Sequence, residues 1–405
     1  MLDQSIRDLV KATVPVLKEH GVTLTRHFYT RMFAHNPELK PVFNQGNQQS
    51  GGQQQALAMA VLAYAEHIDD PMVLLPVLTL VANKHVSVGI RAEHYPIVGG
   101  HLLASIKEVL GEAASDELIA AWAAAYGQLA DVLIGLENDI YGKAALAEGG
   151  WTGWRAFKVS EKIIESEEIT SFYLHPADGG NVPTYRPGQY ITVKVFVPEL
   201  GMMQPRQYSL SAAPGNVYLR ISVKREAQMA EKPAGMVSNV LHRDISEGAI
   251  LEVAPPMGDY FLHEDRDTPV VLISAGVGLT PKLSMLEHLT AKKSTRQIRF
   301  LHACRHGGVH AFKHRVQELA QVHPQVKSMV YYETPRANDK VNVDYDYTGR
   351  LDLGKIADEV ILPQADYYVC GPRAFMQAQV ASLKSLGVDA SRIHKEAFGS
   401  GGFAD

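Results

Sequence analysis

Cysteine is almost absent from this chain: among 405 residues there are two, Cys304 and Cys370, far apart and with no paired spacing. A disulfide framework, a zinc ribbon and a cysteine-ligated iron–sulfur cluster are thereby excluded as organising elements. A surplus of either charge is also lacking. Lys and Arg number 39 against 44 Asp and Glu, a formal net charge of -5, which gives no electrostatic case for nucleic acid as a partner. The most apolar stretches, such as VLLPVLTLVA, are far shorter than a bilayer crossing requires, and Asp3 and Arg7 interrupt the N-terminus before any apolar run. The expectation is a cytoplasmic protein that is not integral to a membrane. No internal repeat is evident, and the Gln-rich stretch at residues 45–55 reads as a polar loop leading into a helix.

What is present is an ordinary globular composition, 46% hydrophobic and 20% charged, in a chain long enough for two or three cores. The texture changes near residue 150. Up to about Tyr141, Ala, Leu, Val and Gln recur with helical spacing, broken at Gly21, Pro37, GNQQSGG, Asp69 to Pro71 and Gly111. After GGWTGWR, short β-rich runs such as ITSFYL, QYITVKVFV and VYLRISVKR are divided by Pro and Gly. From Pro269, the runs VVLISAG, IRFLHAC and YYVCG alternate with helical stretches, which calls for a parallel sheet with crossover helices. The predicted organisation is an all-α domain over residues 1–147, a small antiparallel β-barrel or sandwich over 151–265 and an α/β parallel-sheet domain over 268–405.

In the helical part, His85 shares an apolar helix face with Val81 and Val88. Such an imidazole can hold a haem iron, or it can be a core histidine satisfied by a carbonyl. Glu137 falls on the apolar side of its own helix, between Leu133 and Ile140, where a carboxylate needs a partner unless the helix edge is solvated. If that helix faces the same pocket, Glu137 could accept the second ring N–H of His85, with Tyr95 as an additional member, making the imidazole more electron-rich. Tyr29, in HFYTRMF, is either an amphipathic-face aromatic or a donor into the pocket.

The order Tyr29, Phe43, Gln53, Leu57, His85 resembles that of a bacterial globin. The resemblance implies that His85 is the iron ligand, that Phe43 packs on the haem plane with Leu57 nearby, and that Tyr29 and Gln53 face the ligand side. Lys84 is either solvated or, by resemblance, an influence on redox potential.

In the middle region, RQYS (Arg206, Gln207, Tyr208, Ser209) is preceded by PGQY ending at Tyr190 and followed by GMVSN, with Gly235, Val237, Ser238 and Asn239. This resembles the FAD-binding barrel of the ferredoxin reductase family. The resemblance gives Arg206 to the pyrophosphate, Tyr208 to the isoalloxazine and Ser209 to the flavin nitrogens. Gly235 would open a helix whose N–H groups receive phosphate.

Further on, a continuous apolar strand runs into Gly276, Val277, Gly278 and Leu279. Thr280 and Pro281 read there as helix N-cap and first helical residue. Glycines admit a pyrophosphate to the backbone, although Pro281 stands where the full dinucleotide fingerprint has its third glycine. In the reductase family this proline-bearing turn binds NAD(P). Cys370, Gly371 and Pro372 match that family's later signature beside the nicotinamide. EAFGS (Glu396, Ala397, Phe398, Gly399 and Ser400) resembles its terminal segment against the flavin, with Phe398 the aromatic contact, but Gly399 and Ser400 stand in place of the family's glycine-proline ending. Cys370 is equally readable as a small buried hydrophobe, and no nucleophilic role is assigned to it.

Three motif sets in this order, across essentially the whole length, resemble the flavohaemoglobin (nitric oxide dioxygenase) family. That implies haem b, FAD and NADH or NADPH as cofactors, and nitric oxide oxidised by dioxygen to nitrate as the detoxifying reaction. It leaves room for a lipid in the distal pocket and implies a monomer. A haem-based gas sensor is the competing reading, but it would not need its own flavin and nicotinamide modules. A reductase for ferric iron, quinones or peroxides is a second. The choice between NADH and NADPH stays open, since Arg305 after its strand has no obvious acidic partner in the sequence.

Overall fold

The computed structural model describes residues 2–228 and 233–398. The chain forms two compact units, one of residues up to 147 with 151–154 and 196–206, the other of 148–150, 155–195 and residues from 207 onward.

The first unit is helical: α1 (Gln4–Ala12), α2 (Val14–His35), α3 (Gln45–Gln49), α4 (Gly52–Glu66), α5 (Leu75–Val88), α6 (His94–Leu110) and α7 (Asp116–Leu146). Local chemistry sets the ends. The Ser115 side chain accepts from Leu118 N–H, with Asp116 and Glu117 in the first turn of α7, and Gly89 closes α5 in the left-handed conformation at φ 86°.

Three expectations change here. Gly21 does not break a helix, because α2 runs through it: a Cβ there would sit 3.5 Å from the Ala58 Cβ, so the glycine lets α2 lie close on α4. That packing offsets the cost of a mid-helix glycine, about 1 kcal/mol. Residues 45–49 are helical and not a plain loop, since the Asn44 side chain accepts from Asn47 N–H at 3.1 Å. Pro71–Val88 and Asp116–Leu146 are long and apolar enough, by length and composition, to cross a membrane, contrary to the sequence expectation. Their apolar faces are turned on one another, as α5 packs against α7.

The helical core is split. One cluster gathers around Phe28, Met32, Tyr64 and Trp122, another around Leu78, Ala82, Tyr95 and Leu133. A Leu, Phe or Met side chain of these clusters, fully buried, contributes about 1.5–3 kcal/mol. Leu74, Tyr126 and Leu129 touch both clusters, and the side chains Phe43, Leu57 and Val81 at the cluster edges are only partly buried.

After residue 154 the chain forms β1 (Arg155–Ile164), β2 (Ile169–Pro176), β3 (Tyr190–Val197), β4 (Met202–Ser209), β5 (Leu219–Lys224), α8 (Met236–Asp244) and β6 (Ile250–Val253). The strands make one sheet in the order β4-β3-β6-β1-β2-β5, and an antiparallel bridge from Leu210, just after β4, to Ile221 on β5 joins its two edges. That bridge draws the two ends of the sheet together, as in a barrel.

The last module carries β7 (Val270–Ala275), α9 (Leu279–Ala291), β8 (Ile298–Cys304), α10 (Lys313–Val322), β9 (Val326–Tyr332), β10 (Tyr347–Thr348), α11 (Ala357–Val360), β11 (Asp366–Cys370), α12 (Arg373–Ser385) and β12 (Ile393–Glu396). Its sheet runs β10-β9-β8-β7-β11-β12 with every pairing parallel. All residues of β7 and β11 are buried, as expected for strands covered on both faces. The chain proceeds from β7 to one side and returns to β11 on the other. The crevice at the carboxyl ends of these two strands is therefore the topological switch point where such sheets bind ligands.

Candidate functional site

The helical unit brings His85, Tyr95 and Glu137 together. Tyr95 Oη donates to Glu137 Oε1 at 2.5 Å, and His85 Nδ1 lies 2.7 Å from the same oxygen and 3.2 Å from Tyr95 Oη. A carboxylate oxygen only accepts, so the ring joins as an N–H donor at Nδ1. This assignment leaves the lone pair on Nε2, the form that ligates a metal. The Glu137 side chain is 3% exposed and that of His85 34%, so the acid is sealed in while the ring keeps one open edge. Burial first, and then the Glu137 hydrogen bond, push the Tyr95 phenol well above its ordinary value and hold it protonated as a donor. Sequence reasoning missed Tyr126, whose hydroxyl donates to the Tyr95 carbonyl at 2.7 Å. Only a glycine fits opposite its ring: a Cβ at Gly99 would stand 2.4 Å from Tyr126 Cε1.

On the other side of the split core, Tyr29 is buried on α2 with its ring edge-on to Phe43 at 5.7 Å and to Phe28 at 4.9 Å. Burial pushes the Tyr29 phenol up, and the side-chain amides of Gln53 and Gln48 oppose that rise. Gln53 is the residue expected to face the ligand side with Tyr29, whereas Gln48 carries no sequence signal. The latter lies on α3, where no helix was expected. Leu57 is half-buried on α4 against the same cluster, and Lys84 is half-buried beside His85 on α5. The features fit a flat apolar ring carrying iron: a divided core with apolar edges, one histidine with Nε2 available, and a buried phenol donor.

In the barrel, Arg206 to Ser209 occupy the end of β4 and Tyr190 begins β3, with Gln207 Nε2 3.5 Å from Tyr190 Oη. Gly258, at φ 116°, backs the Tyr190 ring so closely that a Cβ would lie 3.0 Å from it. Gly235 is the N-cap of α8 as predicted, without a side-chain cap. Val237 is buried, and Ser238 and Asn239 turn their side chains back to brace the chain: Ser238 Oγ accepts from Glu226 N–H, while Asn239 Nδ2 donates to the Glu226 and Gly235 carbonyls. Phosphate would therefore meet backbone N–H groups here more than these side chains. At the far end of α8, Lys162 Nζ donates to the carbonyls of Leu241, His242 and Ile245, a cap supplied from a strand too distant in the chain to be foreseen.

In the last module, Gly276 takes φ 53° and Gly276–Gly278 form a single tight turn into α9. A Cβ at Gly278 would stand 2.4 Å from the Cys370 carbonyl oxygen, so the turn rests directly on the end of β11. The helix starts earlier than predicted: Gly278 is the N-cap and Leu279 the first helical residue, while Thr280 Oγ1 donates back to the Val277 carbonyl at 3.0 Å and Pro281 follows inside the first turn. The tight turn already has helical curvature, so α9 continues it without a side-chain cap. Cys370 sits opposite both Ser274 and Glu396 in the parallel register. It is fully buried, and burial pushes its thiol up to about 12, which suits an inert small hydrophobe. Gly371 fits against Phe375, and Pro372 is the N-cap of α12. Ala397 packs partly buried on the core and Phe398 is 45% exposed, whereas Gly399 and Ser400 lie outside the described residues. Arg305 does have an acidic partner, Glu168, too remote in sequence to be seen beforehand.

Residues 26–133 match the globin family and residues 272–381 match the oxidoreductase NAD-binding domain family. The chain is 65% identical to a flavohemoprotein of Chromobacterium violaceum over 99% of both chains, and 66% identical to one of Bordetella pertussis over 100% of both. A solved flavohemoglobin from Malassezia yamatoensis, with bound FAD and heme, is 28% identical with a TM-score of 0.85, covering 98% of this chain and 100% of that one. The FAD/NAD-binding domain of a nitric oxide dioxygenase from Vibrio cholerae is 41% identical with a TM-score of 0.55, covering 60% of this chain and 98% of that one.

Proposed function

The chain belongs to the flavohemoprotein family, and from that we propose that it is an NAD(P)H-dependent nitric oxide dioxygenase of the cytoplasm, with its work divided among residues 1–147, 151–265 and 268–405. Haem b held by His85 would supply the iron at which nitric oxide and dioxygen combine to nitrate, and FAD would relay electrons to it from reduced nicotinamide. The observation that carries the reading is the shared Glu137 oxygen that takes both the His85 Nδ1 proton and the Tyr95 hydroxyl.

A buried carboxylate behind the imidazole makes Nε2 a stronger electron donor, which favours oxygen chemistry over simple storage. Tyr29, kept protonated by burial, donates its hydroxyl hydrogen to the oxygen substrate, and Gln53 orients it. Phe43 and Leu57 exclude water with apolar surface. Arg206 neutralises pyrophosphate, Tyr190 and Tyr208 flank the flavin, and the N-terminus of α8 receives phosphate. The turn at Gly276–Gly278 and the first N–H groups of α9 take the nicotinamide dinucleotide. Two free cysteines, one buried and one half-buried, suit a reducing compartment.

The test is nitric oxide consumption by protein loaded with haem and FAD. Rapid loss of nitric oxide with nitrate formed, only when dioxygen and reduced nicotinamide are both present, is expected. Consumption at buffer background despite full loading would reject the assignment.

A further inference from the structure

Lys282 is fully buried in the first turns of α9, four residues after the Gly276–Gly278 turn. Its ammonium donates to Tyr260 Oη and stands 4.5 Å from that ring's centroid. Cys370 and Glu396 lie within its electrostatic reach. These two face each other in register at the carboxyl ends of β11 and β12, beside the end of β7. Tyr260 belongs to the segment between β6 and β7, whose Met257 bridges to Tyr190. Lys282 thus joins the segment between β6 and β7, through Tyr260, to the carboxyl ends of β11 and β12 at the switch-point crevice. Taking a lysine out of water is costly, and an apolar side chain of similar length would fill the same space without that cost.

We propose that Lys282 is a positioning residue of this crevice: its ammonium holds Tyr260 and balances Glu396, and so sets the field in which FAD accepts a hydride from reduced nicotinamide. The inference rests on the flavin and nicotinamide part of the proposed function, not on the reaction with nitric oxide. Hydride transfer leaves the nicotinamide oxidised and adds one negative charge to its acceptor, and a cation held nearby favours that charge. The groups that face Lys282 are Tyr260 with Tyr368 behind it, Cys370 and Glu396. Burial lowers the lysine to about 8, while it raises the Cys370 thiol to about 12 and the Tyr260 phenol well above its ordinary value. Burial thus brings the Lys282 transition into the range pH 7 to 9.5 and keeps those of the thiol and the phenol above it.

The experiment is a redox titration of FAD in the intact holoprotein, wild type against Lys282→Met and Lys282→Arg, from pH 7 to 9.5. At pH 7 the equilibrium constant for flavin reduction should fall at least tenfold in Lys282→Met, about 30 mV for a two-electron couple. The gap should close by pH 9.5, where the wild-type lysine is neutral, and Lys282→Arg should stay separated from Lys282→Met throughout. Equal potentials at pH 7 with full FAD content, or a gap indifferent to pH, would overturn the proposal. If Lys282→Met fails to retain FAD, the wild-type profile decides, because lack of any added inflection near pH 8 also overturns it. A normal potential shift with no nitric oxide consumption would instead reject the dioxygenase reading alone.

Discussion

One oxygen of Glu137 receives two donors, and its side chain is almost sealed from solvent. Replacing the acid with Gln keeps an acceptor of the same shape but removes the charge behind the imidazole. For Glu137→Gln we expect a lower iron–histidine stretching frequency in the ferrous protein and nitric oxide turnover slower by about 10–100-fold, the range typical of lost ligand-supporting partners. Flavin reduction by NADH should be unaltered, and an unmoved vibration would show that the carboxylate does not reach the iron. Tyr29 makes the complementary case. Its buried hydroxyl faces two amides, so Tyr29→Phe removes the donor and keeps the ring packing on Phe28 and Phe43. Loss of a hydrogen bond to a partly charged acceptor, about 1.5–3 kcal/mol, should speed oxygen dissociation roughly 10–100-fold. Stopped-flow displacement would read it, and equal rates would remove Tyr29 from the mechanism.

At the scale of elements, the turn into α9 is the most tightly specified piece of backbone. The neighbours of Gly278 are the Cys370 carbonyl and the Gly371 nitrogen, neither of which can swing away as a side chain can. Gly278→Ala must therefore separate the turn from β11, and KM for NADH should rise at least tenfold, given the close approach that a pyrophosphate needs. The haem spectrum should be unchanged, and a variant with wild-type KM would show the turn to be slack. The strands were legible in the sequence because alternating and continuous apolar runs are local signals, and so were His85 and Glu137, each on the apolar face of its own helix, whereas Tyr95 had no such local signal. The continuity of α2 through Gly21 and the start of α9 were not, since the first depends on Ala58, distant in sequence, and the second on a turn's own curvature; nor was α3, whose cap from Asn44 is local but whose residues carry no apolar periodicity. The same holds for Gln48, Tyr126, Lys162 and Lys282. Their residue types suggest solvent or core, and only the tertiary neighbours show what each side chain is bonded to.

For the whole molecule, the pH dependence of stability has a source inside the parallel-sheet module. His302 on β8 is fully buried, stacks on His310 at 5.0 Å and shares Nδ1 with Ser274 Oγ at 3.0 Å. Burial lowers its ring to about 4 from an ordinary value of 6.5, and His310 is lowered well below that value by burial and by His302. A depressed folded value means that the unfolded chain takes the proton first. The stabilising contribution is complete above pH 6.5 and is lost as pH falls from there towards 4. For His302 alone the loss between pH 7 and pH 5 is about 2 kcal/mol by linkage. Other groups titrate over the same range, so the informative quantity is a difference: denaturant unfolding of the parallel-sheet module, followed by FAD release, in wild type and in His302→Gln. The variant should be less stable at pH 7, because its amide lacks the ring's packing, yet it should decline less on acidification, so that the two curves converge towards pH 5. Parallel decline of wild type and variant would mean that the buried histidine pair is protonated without cost, and acid sensitivity would then have to come from groups elsewhere.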